Sequence, residues 1–171
     1  MKHRYKAFTL IELLVVLCLV ALISSLALVH VSVFNSTLVR VELDKLVNAC
    51  QYMQQLAIAT NKEQHLILDI HKHEYHFHTY REKLSPYVRF GVLPGVKGSP
   101  GNPVASTAQA ITFPSHRICF YPTGIISSGT VYFVDATKQC LYALSNAVSQ
   151  VSYLRMYRYD GTWKLYGDDK K

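Results

Sequence analysis

Glu12 is the only charged side chain in the 22 residues from Phe8 to Val29, where Thr9, Ser24 and Ser25 are the only other polar ones. A carboxylate in apolar surroundings is costly alone and stabilising when it meets a cation, so its position calls for a partner. A second concentration of chemistry lies at His65, His71, His73, His76 and His78. Metal binding would need several of these imidazoles on one face. His76 and His78 alternate with Tyr75 and Phe77, which reads instead as a solvated strand face with the aromatics turned inward, and no metal site is expected. Cys18, Cys50, Cys119 and Cys140 show no zinc-type spacing.

The third candidate is the C-terminal hairpin. With Asp160-Gly161 as a two-residue turn, Tyr159 opposes Thr162, Arg158 opposes Trp163, Tyr157 opposes Lys164, and Arg155 opposes Tyr166. One face then carries Leu154, Met156, Arg158, Trp163 and Leu165, which reads as core with Arg158 over the indole. The other carries Tyr153, Arg155, Tyr157, Lys164 and Tyr166. Such a face suits a nucleic-acid backbone with stacked bases, or a partner or subunit contact, or it is plain exposed sheet. No nucleophile elbow, phosphate-cradling loop or paired carboxylates appear, so neither an enzyme nor a cofactor is expected.

These groups need elements to position them. The first Pro is Pro86 and the first Gly is Gly91, so nothing in residues 8–61 breaks a helix. The Phe8–Val29 run extends about 33 Å as a helix, enough for a hydrocarbon core of roughly 30 Å. Beyond Val33 the pattern turns amphipathic: Val39, Leu43, Leu46, Val47, Cys50, Met53, Leu56 and Ala57 recur at three- and four-residue steps. Arg40, Glu42, Asp44, Lys45, Gln51 and Gln55 fall on the opposite side. Strands follow: Leu66–Ile70 and Tyr75–Tyr80 as a hairpin, then Ile111–Phe113, Arg117–Tyr121, Ile125–Ile126, Thr130–Val134, Gln139–Leu144, Val148–Tyr159 and Thr162–Tyr166. The Gly- and Pro-rich stretch from Gly91 to Ala110 reads as a mobile loop or partner contact. The class is α+β, a long N-terminal helix packed on an antiparallel sheet.

Phe8-Thr9-Leu10-Ile11-Glu12, placed directly after Lys2, Arg4 and Lys6, resembles the cleavage and methylation signature of type IV pilin-like proteins. The resemblance implies a cut between Ala7 and Phe8 by a prepilin peptidase, followed by methylation of the new terminus. Family members usually carry Gly before the cut, where this chain has Ala7. It also implies that Glu12 serves assembly by pairing with the freed ammonium of a neighbouring subunit. An ordinary signal anchor, or a signal peptide cut after Ala27, are the competing readings. Three of the seven net positive charges lie in the basic leader, which would stay cytoplasmic and send the C-terminal domain across the membrane.

Ile111-Thr112-Phe113, Phe120-Tyr121-Pro122-Thr123-Gly124 and Ser128-Gly129-Thr130-Val131-Tyr132-Phe133 resemble the C-terminal domain of the H-type minor pseudopilins of type II secretion, a domain that minor type IV pilins share. The resemblance implies a leader at 1–7, a membrane helix at 8–33, its amphipathic continuation at 34–61 and a periplasmic β domain at 62–171. The chain would sit in the inner membrane with a single pass and join a filament with other pseudopilins, and secreted cargo is a further candidate partner. A minor type IV pilin active in pilus assembly or DNA uptake is the alternative. In that oxidising compartment a Cys119–Cys140 disulfide is conceivable. An intervening strand at Thr130–Val134 would instead hold the pair beyond bonding reach, and the sequence leaves both open.

Overall fold

With no Gly or Pro to interrupt it, residues Leu10–Thr60 form one helix, α1. The computed structural model describes residues 9–100, 102–106, 109–146 and 153–166, with backbone alone for 26–35 and 103–106. The leader, the expected cut at Ala7–Phe8 and the start of the strand expected from Val148 lie outside the described residues. Two compact units divide the chain, Met1–Phe34 and Asn35–Lys171.

In the first unit α1 is apolar all round. Leu13, Leu14, Val15, Val16 and Leu17 are consecutive, and each is more than half exposed. Among the described residues no helix is long and apolar enough to cross a membrane. The span expected at 8–33 runs past the described side chains at both ends.

In the second unit α1 turns one stripe inward. Val39, Leu43, Leu46, Cys50, Met53 and Ala57 are at most 1% exposed, and Val47 and Leu56 flank them half-buried. Glu42, expected on the polar side, is buried instead. Its Oε1 accepts from Lys45 Nζ at 3.1 Å, while its Oε2 is buried without a partner among the described residues. Glu42 directly precedes Leu43 of the stripe, so the burial that Leu43 requires carries the carboxylate in with it. The helix stops at a Schellman cap: Asn61 N–H donates to Ile58 O and Lys62 N–H to Ala57 O, with Asn61 at φ 53°. Asn tolerates that left-handed backbone better than most residues do.

Among the described residues eleven strands follow: β1 (Gln64–Asp69), β2 (Glu74–Phe77), β3 (Tyr80–Lys83), β4 (Val88–Phe90), β5 (Lys97–Ser99), β6 (Asn102–Ser106), β7 (Arg117–Phe120), β8 (Gly129–Asp135), β9 (Leu141–Asn146), β10 (Arg155–Asp160) and β11 (Thr162–Leu165). They form antiparallel sheets in the orders β3-β2-β1-β7 and β11-β10-β9-β8-β4, plus the ribbon β5-β6. The Gly91–Ala110 stretch is therefore not a structureless loop. It contains a paired ribbon, which the sequence hid because neither short strand alternates polar and apolar residues. Ile125–Ile126 contributes only an isolated bridge from Ile126 to Phe120.

One core joins the α1 stripe to the inner faces of both large sheets: Leu66, Leu68, Tyr75, Ile118 and Phe120 from one, Val131, Phe133, Tyr142 and Leu144 from the other. Each large apolar side chain buried this way stabilises by about 1.5–3 kcal/mol. Strands β8 and β9 are buried on both faces, because a second cluster of Tyr132, Val134, Leu141 and Ala143 lies on the side away from α1. Their near-continuous apolar runs are the signature of two-sided burial.

Two of the three segments of the C-terminal sequence pattern, Ile111–Phe113 and Ser128–Phe133, meet at the edge of β8, while Phe120 ends β7 in the other sheet. Ile111 bridges Val131, and Thr112 N–H donates to Thr130 O. Thr130 N–H donates back to Thr112 Oγ1 at 2.8 Å. This close approach explains Gly129, whose added Cβ would stand 2.5 Å from the Phe113 ring and 2.8 Å from Phe113 Cα. Gly129→Ala is expected to cost about 1–3 kcal/mol as an overpacking substitution. Urea unfolding followed by the fluorescence of Trp163, the sole tryptophan, measures it; an unchanged midpoint would contradict the close approach.

Candidate functional site

The amino-terminal candidate is built by the first turn of α1. Thr9 N–H and Oγ1 both donate to Glu12 Oε2, at 2.9 and 3.0 Å, and Glu12 N–H donates to Thr9 Oγ1 at 3.3 Å. This is a capping box, in which Thr9 closes one orphan amide of the helix start and Glu12 closes another. Thr-x-x-Glu ahead of an apolar run is the sequence signal for this motif, so Glu12 has a partner within its own chain besides the neighbour that the pilin resemblance implies. Both bonds from Thr9 land on one carboxylate oxygen. Chemically, the residue can hold a helix start and still present an oxygen to a cation. Ala7 and Phe8, the expected processing pair, lie outside the described residues.

The C-terminal hairpin forms, but one residue out of the expected register. Asp160 pairs with Thr162, Tyr159 with Trp163, Arg158 with Lys164 and Tyr157 with Leu165. Gly161, at φ 71°, sits alone between the paired residues. A one-residue slip exchanges the two faces of one strand relative to the other. Tyr153, Arg155, Tyr157, Lys164 and Tyr166 therefore do not share a face.

Tyr157 joins Tyr159 and Trp163 on the cluster away from α1. Tyr166 lies on the core side, edge-on to Tyr142, with the Arg40 guanidinium 5.1 Å above its ring. Arg155 stays exposed with Tyr153, donating to its hydroxyl at 3.0 Å. Lys164 Nζ donates to Asp160 Oδ2 at 3.3 Å. A nucleic-acid grip needing all five on one surface has no geometric basis here. Arg158 does not cover the indole either; Trp163 meets Tyr159 edge-on and lies tilted against Tyr132.

The physical reason for the slip lies in the 91–100 segment. Trp163 Nε1–H donates to Gly98 O at 3.0 Å, and Lys97 N–H donates to the Tyr159 hydroxyl at 3.4 Å. Val92, Leu93 and Val96 pack against the same cluster. The indole is thus needed on the face away from α1, where the stretch read as a loop lies down.

The histidines do not converge. His71 and His73 lie in the turn between β1 and β2, His76 lies in β2, and His78 falls in the turn that ends it. Burial, and then the Arg89 charge, push the His73 imidazole below its ordinary value. Tyr75 points into the core as expected, while Phe77 is half-buried against Tyr52 and Tyr80. His65 stands apart from this group, beside Glu63 and Cys119. The four cysteines are free thiols, and Cys119 and Cys140 belong to different parts of the fold, the former in β7 and the latter just before β9. Burial raises the Cys50 thiol far above its usual range and makes it inert.

Trp163→Phe should keep the aromatic packing and lose the bond to Gly98, worth about 0.5–1.5 kcal/mol. Cleavage by trypsin at Lys97 is expected to quicken severalfold; an unchanged rate would show that the indole does not hold the segment down.

Residues 2–28 match the family model described as the prokaryotic N-terminal methylation motif, the prepilin signal of type IV pilin-like chains. No curated protein and no solved structure matches the chain. The α+β layout, one N-terminal helix followed by antiparallel sheets, is consistent with a pilin-like fold. The methylation motif points to a structural subunit rather than an enzyme.

Proposed function

We propose that this chain is a minor pseudopilin of a type II secretion system, cut between Ala7 and Phe8, methylated at Phe8 and anchored by its N-terminal helix in the inner membrane. The observation that carries the reading is the methylation motif at residues 2–28 leading into a helix whose apolar side chains are exposed on every side. A helix that is apolar all round is at rest only in lipid or inside a bundle. A prepilin supplies both, the membrane before assembly and the filament after it. The β domain faces the periplasm and contacts other minor subunits or cargo.

Glu12 acts twice in this scheme. In the single chain it caps α1 through Thr9. In the filament its other carboxylate oxygen meets the ammonium freed at a neighbour's Phe8, and exclusion of water strengthens the attraction. The two roles separate by substitution, because Gln serves a capping box as well as Glu but carries no charge. Glu12→Gln is expected to keep the chain inserted and cut while lowering co-assembly with the other subunits at least tenfold. Crosslinking in membranes and N-terminal sequencing measure the two effects. Normal assembly of Glu12→Gln would leave Glu12 a cap alone, and a native chain beginning at Met1 would remove the prepilin reading. Loss of pilus assembly or DNA uptake on deletion, with secretion intact, would transfer the chain to the minor type IV pilins, which share the amino-terminal signal.

A further inference from the structure

Where α1 hands the chain to β1, three side chains of different chemistry come together. The Schellman cap at Asn61 turns the backbone, so that Glu63 and then His65 project on the face of β1 opposite Leu66 and Leu68. Cys119 is the direct cross-strand partner of His65 in β7 and lies on that same face, between the buried Ile118 and Phe120. One ligand atom from each of Glu63, His65 and Cys119 lies within 4.8 Å of the others, and His65 Nδ1 stands 3.9 Å from Glu63 Oε1. Among the described residues this is the one group of three such donors so placed.

We propose that Glu63, His65 and Cys119 form a binding site for a late first-row divalent metal ion of the zinc type. The donor set decides the class. A thiolate sulfur and an imidazole nitrogen select zinc, cobalt, nickel or copper, whereas calcium and magnesium take oxygen donors. Bond lengths of about 2.0–2.3 Å in a tetrahedral site put donors roughly 3.5 Å apart, so the present spacing must close by about 1 Å at its widest. The side chains of Glu63 and His65 are 45% and 44% exposed, free to make that adjustment by rotation. Cys119 is held in place. Its backbone N–H donates to Ser127 Oγ, and its carbonyl accepts from Ser127 N–H, both at 2.9 Å. One rigid donor on a paired strand and two adjustable ones suit capture of an ion from solution, with solvent completing the fourth position. The site stands independently of the filament reading, because every donor belongs to the β domain and its junction with α1.

The test is a titration of the reduced full-length chain in detergent micelles with cobalt(II), whose spectrum reports both sulfur ligation and coordination number. One equivalent should develop a sulfur-to-cobalt charge-transfer band together with the intense visible bands of a four-coordinate ion, and zinc should abolish both. Cys119→Ser should remove the charge-transfer band, and Cys140→Ser should leave it intact. His65→Ala and Glu63→Gln should each weaken cobalt binding at least tenfold. All three donors are at or near the surface, so far-ultraviolet circular dichroism should stay unchanged in every variant. Absence of the band in the unaltered chain, its survival in Cys119→Ser, or unchanged affinity in either His65→Ala or Glu63→Gln would overturn the proposal.

Discussion

The second unit depends on one seam. Val39, Leu43, Leu46, Cys50, Met53 and Ala57 line a single side of α1, and both large sheets use that side as the floor of their core. A sheet that is apolar on one face must bury that face against another layer. Here two sheets with no strand in common are joined because each needs the same helix face. The buried Glu42 follows from that demand, since a helix that turns Leu43 and Leu46 inward brings its neighbour on the wheel partly with them. Lys45, which bonds both Glu42 and Glu82, shares its charge between the buried carboxylate and the rim.

The five-stranded sheet solves a further problem. Its central strands β8 and β9 are apolar on both faces, and α1 covers only one. The segment after β4 covers the other, packing Val92, Leu93 and Val96 against the cluster of Tyr132, Val134, Leu141 and Ala143, which Tyr159 and Trp163 also flank. The Gly- and Pro-rich character of that stretch reflects a chain that must lie flat on a sheet and then return to the edge of β8 at Ala110. Its order comes from what it covers rather than from any local preference. The first unit is the reverse case. Its helix is locally well specified, capped by Thr9 and Glu12, and its described apolar side chains are exposed.

Much of this was legible beforehand where the signal is periodic. The absence of Gly and Pro through residue 60, the three- and four-residue steps from Val39 to Ala57, and the alternation in β1 each reflect an element seeing the same environment every turn or every second residue. Legibility failed where a partner distant in sequence decides. The hairpin is the clearest case: Asp160-Gly161 announces a turn correctly, but two registers fit it, and the bond from Trp163 to Gly98, 65 residues away, favours one. The same limit applies to Glu63, His65 and Cys119. No spacing rule could join them, because the antiparallel pairing of β1 with β7 is what brings His65 opposite Cys119.

The sequence by itself therefore determined the long helix, its capping signal, its change from wholly apolar to amphipathic, and the α+β class, since these depend on neighbours within a few residues. Tertiary structure alone decided the face on which each hairpin residue lies, the ordering of the 91–100 segment, the burial of Glu42 and the meeting of a carboxylate, an imidazole and a thiol at the end of α1. Those outcomes rest on which strands pair and in what register, and pairing is settled by the shared core rather than by any one strand's own residues.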